Sequence, residues 1–234
     1  MTDELLTFYD DAIGERHGLT APELGAWVAA TAELLTAECG LRRGDRAGVL
    51  LPPHWQTAAV LLGAWSAGIE VSFRSWATAG LGGDPGPALD VTFVERRRVD
   101  SWLDEVPPAG HRFVLGLAPS AAPAPDVPPG YRDFPSAARA HLGAPPPPAQ
   151  AADHAVATVD GATFGEYGAV AAAVARSRAI IAGDRVLIET SAVEEPLIWL
   201  MAPLTAGASI VLCANLDRRR LDDRIREERV TRVL

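Results

Sequence analysis

The sequence predicts an α/β protein built from two pseudo-repeated parallel α/β subdomains, and three observations carry that prediction. First, the chain repeats itself. Gly44-Asp45-Arg46 and Gly183-Asp184-Arg185 each precede a β-type run, an apolar helix and an Ala-Gly pair, Ala67-Gly68 or Ala206-Gly207. The interval between the two glycines, 44 to 68 and 183 to 207, is 24 residues in both copies. Second, each copy follows a Thr-x-x-Glu sequence, Thr20 to Glu23 and Thr163 to Glu166. This is a capping box, in which hydroxyl and carboxylate satisfy amides that a helix start leaves unbonded. Third, Ile210-Val211-Leu212-Cys213 is continuously apolar, as a parallel strand covered on both faces must be.

Strand, helix and strand at this spacing make a βαβ unit, which requires a right-handed crossover and a parallel sheet. Along the chain, Leu6 to Asp10 and Arg16 to Leu19, around Ala12-Ile13-Gly14, predict a hairpin. The first capping box opens an alanine-rich helix, and Ala47 to Leu51 and Ile69 to Phe73 flank an apolar one. Gly68 and Gly207 fall where such a helix must stop, since glycine takes the left-handed conformation that turns the chain into a strand. Gly80 to Pro87 predicts a loop, and Val91 to Val94 and Phe113 to Leu115 predict two more strands. Ten prolines between Pro119 and Pro148 predict a polyproline-like linker, helical only around Ser136 to His141. The expected division is therefore a first subdomain over 1–117, a linker over 118–150 and a second subdomain over 151–234. In the latter, Val186 to Glu189 and Ala208 to Cys213 predict strands, and Asn215 or Asp217 caps a helix through Glu228. Val230 to Leu234 starts a last strand, whose unpaired edge would suit a homodimer.

Composition narrows the function. The chain is 48% hydrophobic and 22% charged, with a net charge of -9 and a pI near 5.0, which opposes attraction to phosphate backbones and anionic lipid. Neither nucleic acid nor a membrane is an expected partner. Asp3 and Glu4 stand where a secretory signal would carry positive charge, and the most apolar window, Ala58 to Ala67, is too short for a bilayer, so a cytoplasmic protein is expected. Cys39 and Cys213 lie far apart and read as buried thiols, while the histidines at 17, 54, 111, 141 and 154 show no metal-ligand spacing. All 21 basic side chains are arginine. No lysine is present to form a Schiff base, to serve a Walker-type loop or to stabilise a pentavalent phosphate.

The passage Gly44 to Gly68 resembles the N-terminal domain of adenylate-forming enzymes, the family of acyl-CoA synthetases, peptide-synthetase adenylation domains and luciferases. Gly183-Asp-Arg-Val-Leu187, Ala202-Pro-Leu-Thr-Ala-Gly-Ala-Ser-Ile-Val-Leu212 and Glu228-Arg-Val-Thr231 resemble the second subdomain of that family. With its short length, the chain is similar to a truncated AMP-binding domain of the actinobacterial type. The family carries a Ser/Thr-Gly-rich phosphate loop ending in Gly-Lys-Pro-Lys-Gly, and here Val159 to Gly168 takes its place without lysine. The resemblance implies that Asp160, Gly161, Thr163 and Gly165 are relics of a nucleotide-phosphate site, with ATP or AMP as its cofactor. The plainer reading of the same residues is an Asp-Gly turn feeding the capping box, with no cofactor. The family's adenine-binding and Thr-Glu motifs, ribose-binding aspartate and lysine-bearing C-terminal domain would lie beyond Leu234. The expectation is a catalytically inactive binding or interaction protein. The alternatives are half of a split ligase completed by a ligase-like partner chain, and a nucleotide or acyl-group binder.

Other constellations carry less. His54 sits at the mouth of a βα turn but has no nucleophile or carboxylate at useful spacing, so packing at the helix start beside Trp55 is expected. Ser66 belongs to a helix end rather than to a nucleophile elbow. No catalytic residue and no metal ligand is assigned. The acidic pairs Asp10-Asp11, Glu194-Glu195 and Asp222-Asp223 diverge in regular structure. Arg218 to Arg220 belong to a solvated helix with Asp217, Asp222, Asp223, Glu227 and Glu228, in which Asp222 and Arg226 are spaced for an ion pair.

Overall fold

The computed structural model describes residues 4–75, 88–101, 106–146 and 153–234. Strands β1 (Glu4–Asp10) and β2 (Glu15–Thr20) lead into helix α1 (Ala21–Glu33), which widens into a π-helical turn, Leu34–Glu38. Next come β3 (Arg46–Leu50), α2 (Trp55–Ser66), β4 (Glu70–Phe73), β5 (Leu89–Glu95), α3 (Arg96–Val99), β6 (Ala109–Leu115), β7 (Arg132–Asp133) and α4 (Phe134–Arg139). Helix α5 (Phe164–Ser177) and β8 (Arg185–Glu189) follow, and a second π-helical turn, Leu197–Met201, runs into α6 (Ala202–Ala206). After β9 (Ser209–Ala214), a 3-10 turn (Arg218–Arg220) precedes α7 (Leu221–Glu227) and β10 (Arg232–Val233). The expected loop at Gly80 to Pro87 lies outside the described residues. No described helix is long and apolar enough to cross a membrane.

These elements form two compact units, each around one sheet. The first gathers Met1–Leu24, Pro53–Trp55 and Glu166–Leu234, the second Gly25–Pro52 and Gln56–Gly165. Strand order is β10-β8-β9-β1-β2 in the first and β4-β3-β5-β6-β7 in the second, all parallel except for the β1-β2 hairpin. The pairing thus divides the chain differently from the composition. The hairpin joins the late strands through β1 beside β9, with Phe8 opposite Leu212. Part of the proline-rich stretch is built into the second sheet, because Arg132 and Asp133 form β7 and the Asp133 carboxylate caps α4 at the Ser136 amide (2.9 Å). Proline in the first turn of α4 is tolerated, because an amide N–H at that position would have no acceptor within the helix.

The repeat is the same structure made twice. Gly44 donates to the Gly68 carbonyl (3.0 Å) and Gly183 to that of Gly207 (3.0 Å). The Asp45 carboxylate accepts from the Arg42 amide (2.7 Å), as Asp184 does from Ile181 (2.9 Å). The carbonyls of the same aspartates take the first amide of the following strand, Glu70 (2.9 Å) and Ser209 (2.9 Å). Gly-Asp-Arg is therefore a turn motif. Its glycine holds a positive φ, +88° at Gly44 and +83° at Gly183, and its aspartate locks the turn to the strand that starts beside it. At the first capping box, Glu23 accepts from the Thr20 amide (2.8 Å) and hydroxyl (2.7 Å).

The two faces of the first sheet pack differently. Tyr9, Leu187, Val211 and Cys213 share one face and are covered by Leu216, Leu221 and Val230. Strand alternation puts Phe8 on the other, where the buried His54 ring meets it edge-on with centroids 4.2 Å apart. Burial holds His54 well below its ordinary value, at about 3, so it packs as a neutral imidazole, as expected. In the second unit Phe93 stacks on Phe113 (5.4 Å) and Phe134 closes edge-on against Phe93 (5.6 Å). Both cysteines are buried and unpaired.

Helix α2 approaches residues 28–31 of α1 so closely that a Cβ on Gly63 would lie 2.5 Å from Thr31 Cβ and 3.0 Å from the Val28 carbonyl oxygen. Gly63→Ala is expected to destabilise the protein by about 1 to 3 kcal/mol despite alanine's better helix propensity, because a backbone atom cannot step aside. Urea unfolding of both proteins measures this.

Candidate functional site

The residues that the resemblance marks out lie together on a tight turn. Thr158 Oγ1 donates to the Asp160 carboxylate and accepts from the Ala162 amide (3.1 Å), and Gly161, at φ +96°, donates its amide to the Thr158 carbonyl (2.9 Å). Thr163 bridges Val156 in antiparallel fashion, and the amides of Phe164 and Gly165 go to Ala155 (2.9 Å) and Asp153 (2.8 Å). A Cβ on Gly165 would sit 3.1 Å from the Asp153 carbonyl oxygen, so this glycine serves a close backbone approach. The amides of Gly161, Ala162, Phe164 and Gly165 are all spent on protein acceptors. An anion would have to displace bonds worth about 1 kcal/mol each to reach them. The preceding residues run beside β4, with Val71 donating to Ala157 (3.0 Å) and Val159 to Val71 (3.2 Å).

A second site was not marked out by the sequence. In the first unit a cavity of about 610 Å³ opens at the amino ends of β1, β8 and β9, lined by Glu4, Leu5, Asp184, Arg185 and Ser209, with Ala21, Leu204 and residues 227–229 around it. Open parallel sheets generally take ligands at the opposite, carboxyl ends of their strands. There this sheet carries ion pairs instead, Arg218 with Glu189 (2.7 Å) and Arg224 with Asp11 (2.8 Å), together with Asn215 donating to Asp10 (2.8 Å).

One side of the cavity is a buried charge network. The Glu228 carboxylate accepts from Tyr9 Oη (2.5 Å) and Arg16 Nε (2.9 Å) through one oxygen, and from Arg185 through the other. Arg185 also donates to Thr7 Oγ1 (2.8 Å) and to the Glu4 carbonyl (3.1 Å), and Arg16 reaches the Glu4 carboxylate (2.6 Å). Beside it Asp184 accepts from Thr231 (2.7 Å) and Arg232 (3.3 Å). Two carboxylates and two guanidiniums therefore cancel within a few ångströms, joining β1, β2, the start of β8 and the end of α7. Burial opposes the charge on Glu228, but the hydrogen bonds from Arg16, Tyr9 and Arg185 overcome it and hold the carboxyl at about 2. Burial and the adjacent Glu228 push the Tyr9 phenol up to about 12. On the ring of Tyr9 rests the Arg224 guanidinium, 3.7 Å from the centroid and 3% exposed.

The helix expected to be solvated thus behaves otherwise at two positions. Arg224 and Glu228 are buried, because Tyr9, Asp11 and Arg185 offer them partners from distant parts of the chain. Arg226 pairs instead with Asp223 and meets Asp222 only at its carbonyl (3.3 Å). In sequence, the hint of the network was the alternation of Glu4, Thr7 and Tyr9 with the apolar Leu5, Leu6 and Phe8 in β1.

The network sets a pH window. The folded pKa of Glu228 is depressed from its ordinary 4.5, so its contribution is complete above pH 4.5 and disappears as pH falls toward 2. The folded pKa of Tyr9 is raised from 10, so its contribution is complete below pH 10 and disappears as pH rises toward 12. Glu228→Gln leaves Glu4 as the one carboxylate of the network against Arg16 and Arg185 and is expected to cost about 3 kcal/mol at neutral pH. It should also flatten the loss of stability between pH 4.5 and 2, which urea unfolding across that range would measure.

No model of a known protein family matches the chain. Among solved structures it is similar to an acyl-CoA synthetase of Brucella canis, with a TM-score of 0.70 and 18% identity, over 100% of this chain and 44% of that one. It is similar to the N-terminal domain of FACL13 from Mycobacterium tuberculosis, at a TM-score of 0.63 and 18% identity, over 97% of this chain and 57% of the other. For the anthranilate CoA ligase AuaEII in complex with anthranoyl-AMP the TM-score is 0.67 at 15% identity, over 99% and 45%. The chain thus spans only about half the length of these enzymes, and at such identities the likeness establishes the fold alone. A relative from Mycobacterium tuberculosis, a TIGR03089 family protein, is 38% identical over 235 residues, covering 98% of this chain and 90% of its own length. On the fold of the N-terminal domain of acyl-CoA synthetases, the chain belongs to the TIGR03089 family.

Proposed function

We propose that the protein is a binding member of the adenylate-forming fold that does not itself activate carboxylic acids. The observation that carries this reading is the absence of lysine from all 234 residues. The family it resembles uses lysine both in its phosphate loop and in its mobile C-terminal domain. The turn at Thr158 to Gly165 supports the reading, because four of its amides already have protein acceptors. Asp160 and Glu166 add to it, since each close charge pair with a triphosphate would oppose binding by about 1 to 4 kcal/mol. ATP or AMP bound over Asp160, Gly161, Thr163 and Gly165 would first have to open that turn.

The fold shared with solved ligases supports a second reading, in which a lysine-bearing partner chain completes a split ligase. Under the first reading the purified protein gives no ATP–pyrophosphate exchange with any member of a carboxylic-acid panel, and exchange above background overturns it. Under the second, pull-down from native lysate recovers a ligase-like chain and the mixture regains exchange. Recovery of none removes that alternative.

A further inference from the structure

We propose that the cavity at the amino edge of the first unit binds a small aliphatic zwitterion, an amino acid of the leucine or valine class, with Arg229 taking the carboxylate and Glu227 the ammonium. The proposal deepens the binding reading above and rests on it. Charge balance carries the argument. The other carboxylates of the lining are already balanced, Glu4 and Glu228 by Arg16 and Arg185, and Asp184 by Arg232. Their oxygens and guanidinium nitrogens are engaged with one another. Glu227 and Arg229 line the same cavity, are exposed, and have no side-chain partner among the described residues. A cation would leave the arginine uncompensated and an anion the glutamate, whereas a dipolar ion meets both. The remaining lining includes Leu5, Ala21, Leu204 and Ala208, which suits an aliphatic rather than a charged side chain.

The backbone fixes where Arg229 stands. Helix α7 ends in a left-handed residue, with Val230 donating back to the Ile225 carbonyl (2.9 Å), and that residue is Arg229 at φ +53°. Glycine adopts this conformation without the Cβ strain that other residues carry there. Elsewhere the chain makes such stops on Gly40, Gly68 and Gly207, and α5 ends in the same way on Ala179 at φ +53°, with Ile180 donating to the Ala175 carbonyl (2.8 Å). This turn sets Arg229 on the lining of the cavity, two residues after Glu227.

The test is calorimetric titration of the full chain with L-leucine and with its two half-analogues, 4-methylpentanoate, which lacks the amine, and 3-methylbutylamine, which lacks the carboxylate. Leucine is expected to bind, each analogue about tenfold more weakly or worse, and E227Q and R229Q to lose about tenfold each. R229G separates binding from folding, because it should weaken leucine while raising the Tm, a combination that a purely structural arginine would not give. Equal binding of leucine and either analogue, unchanged affinity in E227Q and R229Q, or no saturation at millimolar leucine overturns the proposal. The last result leaves the non-adenylating reading standing. Leucine-dependent ATP–pyrophosphate exchange would overturn that reading and leave the cavity assignment in place.

Discussion

The Glu228 carboxylate is the point at which the first unit closes on itself. It sits at the end of α7 yet accepts hydrogen bonds from Tyr9 and Arg16 of the opening hairpin and from Arg185 at the start of β8. Tyr9, Arg185 and Glu228 would each be costly to bury alone, and their polar atoms meet one another there, with Arg16 closing the network from the surface. The arrangement also explains why α7 can dock with few apolar contacts. Its buried side chain is Arg224, fixed between Asp11 and the face of Tyr9, with Leu221 and Val230 packing on the sheet around it. The cavity at the amino edge is a consequence, since the same network fixes one wall and leaves Glu227 and Arg229 on its rim.

The two repeats show how one motif is turned to different ends. Both Gly-Asp-Arg turns make the same backbone bonds, but their arginines differ. Arg46 lies partly exposed near Glu70 (3.5 Å), whereas Arg185 is drawn into the network. The motif is thus a scaffold device, and only the second copy places its cation where a cavity wall requires one.

The parts of the fold that were legible in the sequence are those set by short-range physics. The capping box at Thr20 and Glu23, the glycine stops at Gly68 and Gly207, the hairpin and the apolar strands each depend on a few neighbouring residues. Which strands pair was not legible, because β1 chooses β9 across some two hundred residues by the fit of apolar faces such as Phe8 and Leu212. The proline-rich stretch was read as a linker because proline density says how a chain is stiffened, and says nothing about whether Arg132 and Asp133 find a strand edge. In the candidate site, the turn at Asp160 and Gly161 was foreseen from its residue types. The network was not, because an acid in a charged helix looks solvated until its partners, more than two hundred residues earlier, are known.

The central claim is that Glu228 and Arg185 act as a coupled pair within that network, so a double-mutant cycle addresses it most directly. Unfolding free energies of the natural protein, Arg185→Gln, Glu228→Gln and the double variant at neutral pH should show a coupling of about 1 kcal/mol or more, each single change leaving a charge imbalance that the second relieves. Additive effects, within about 0.3 kcal/mol, would contradict the account.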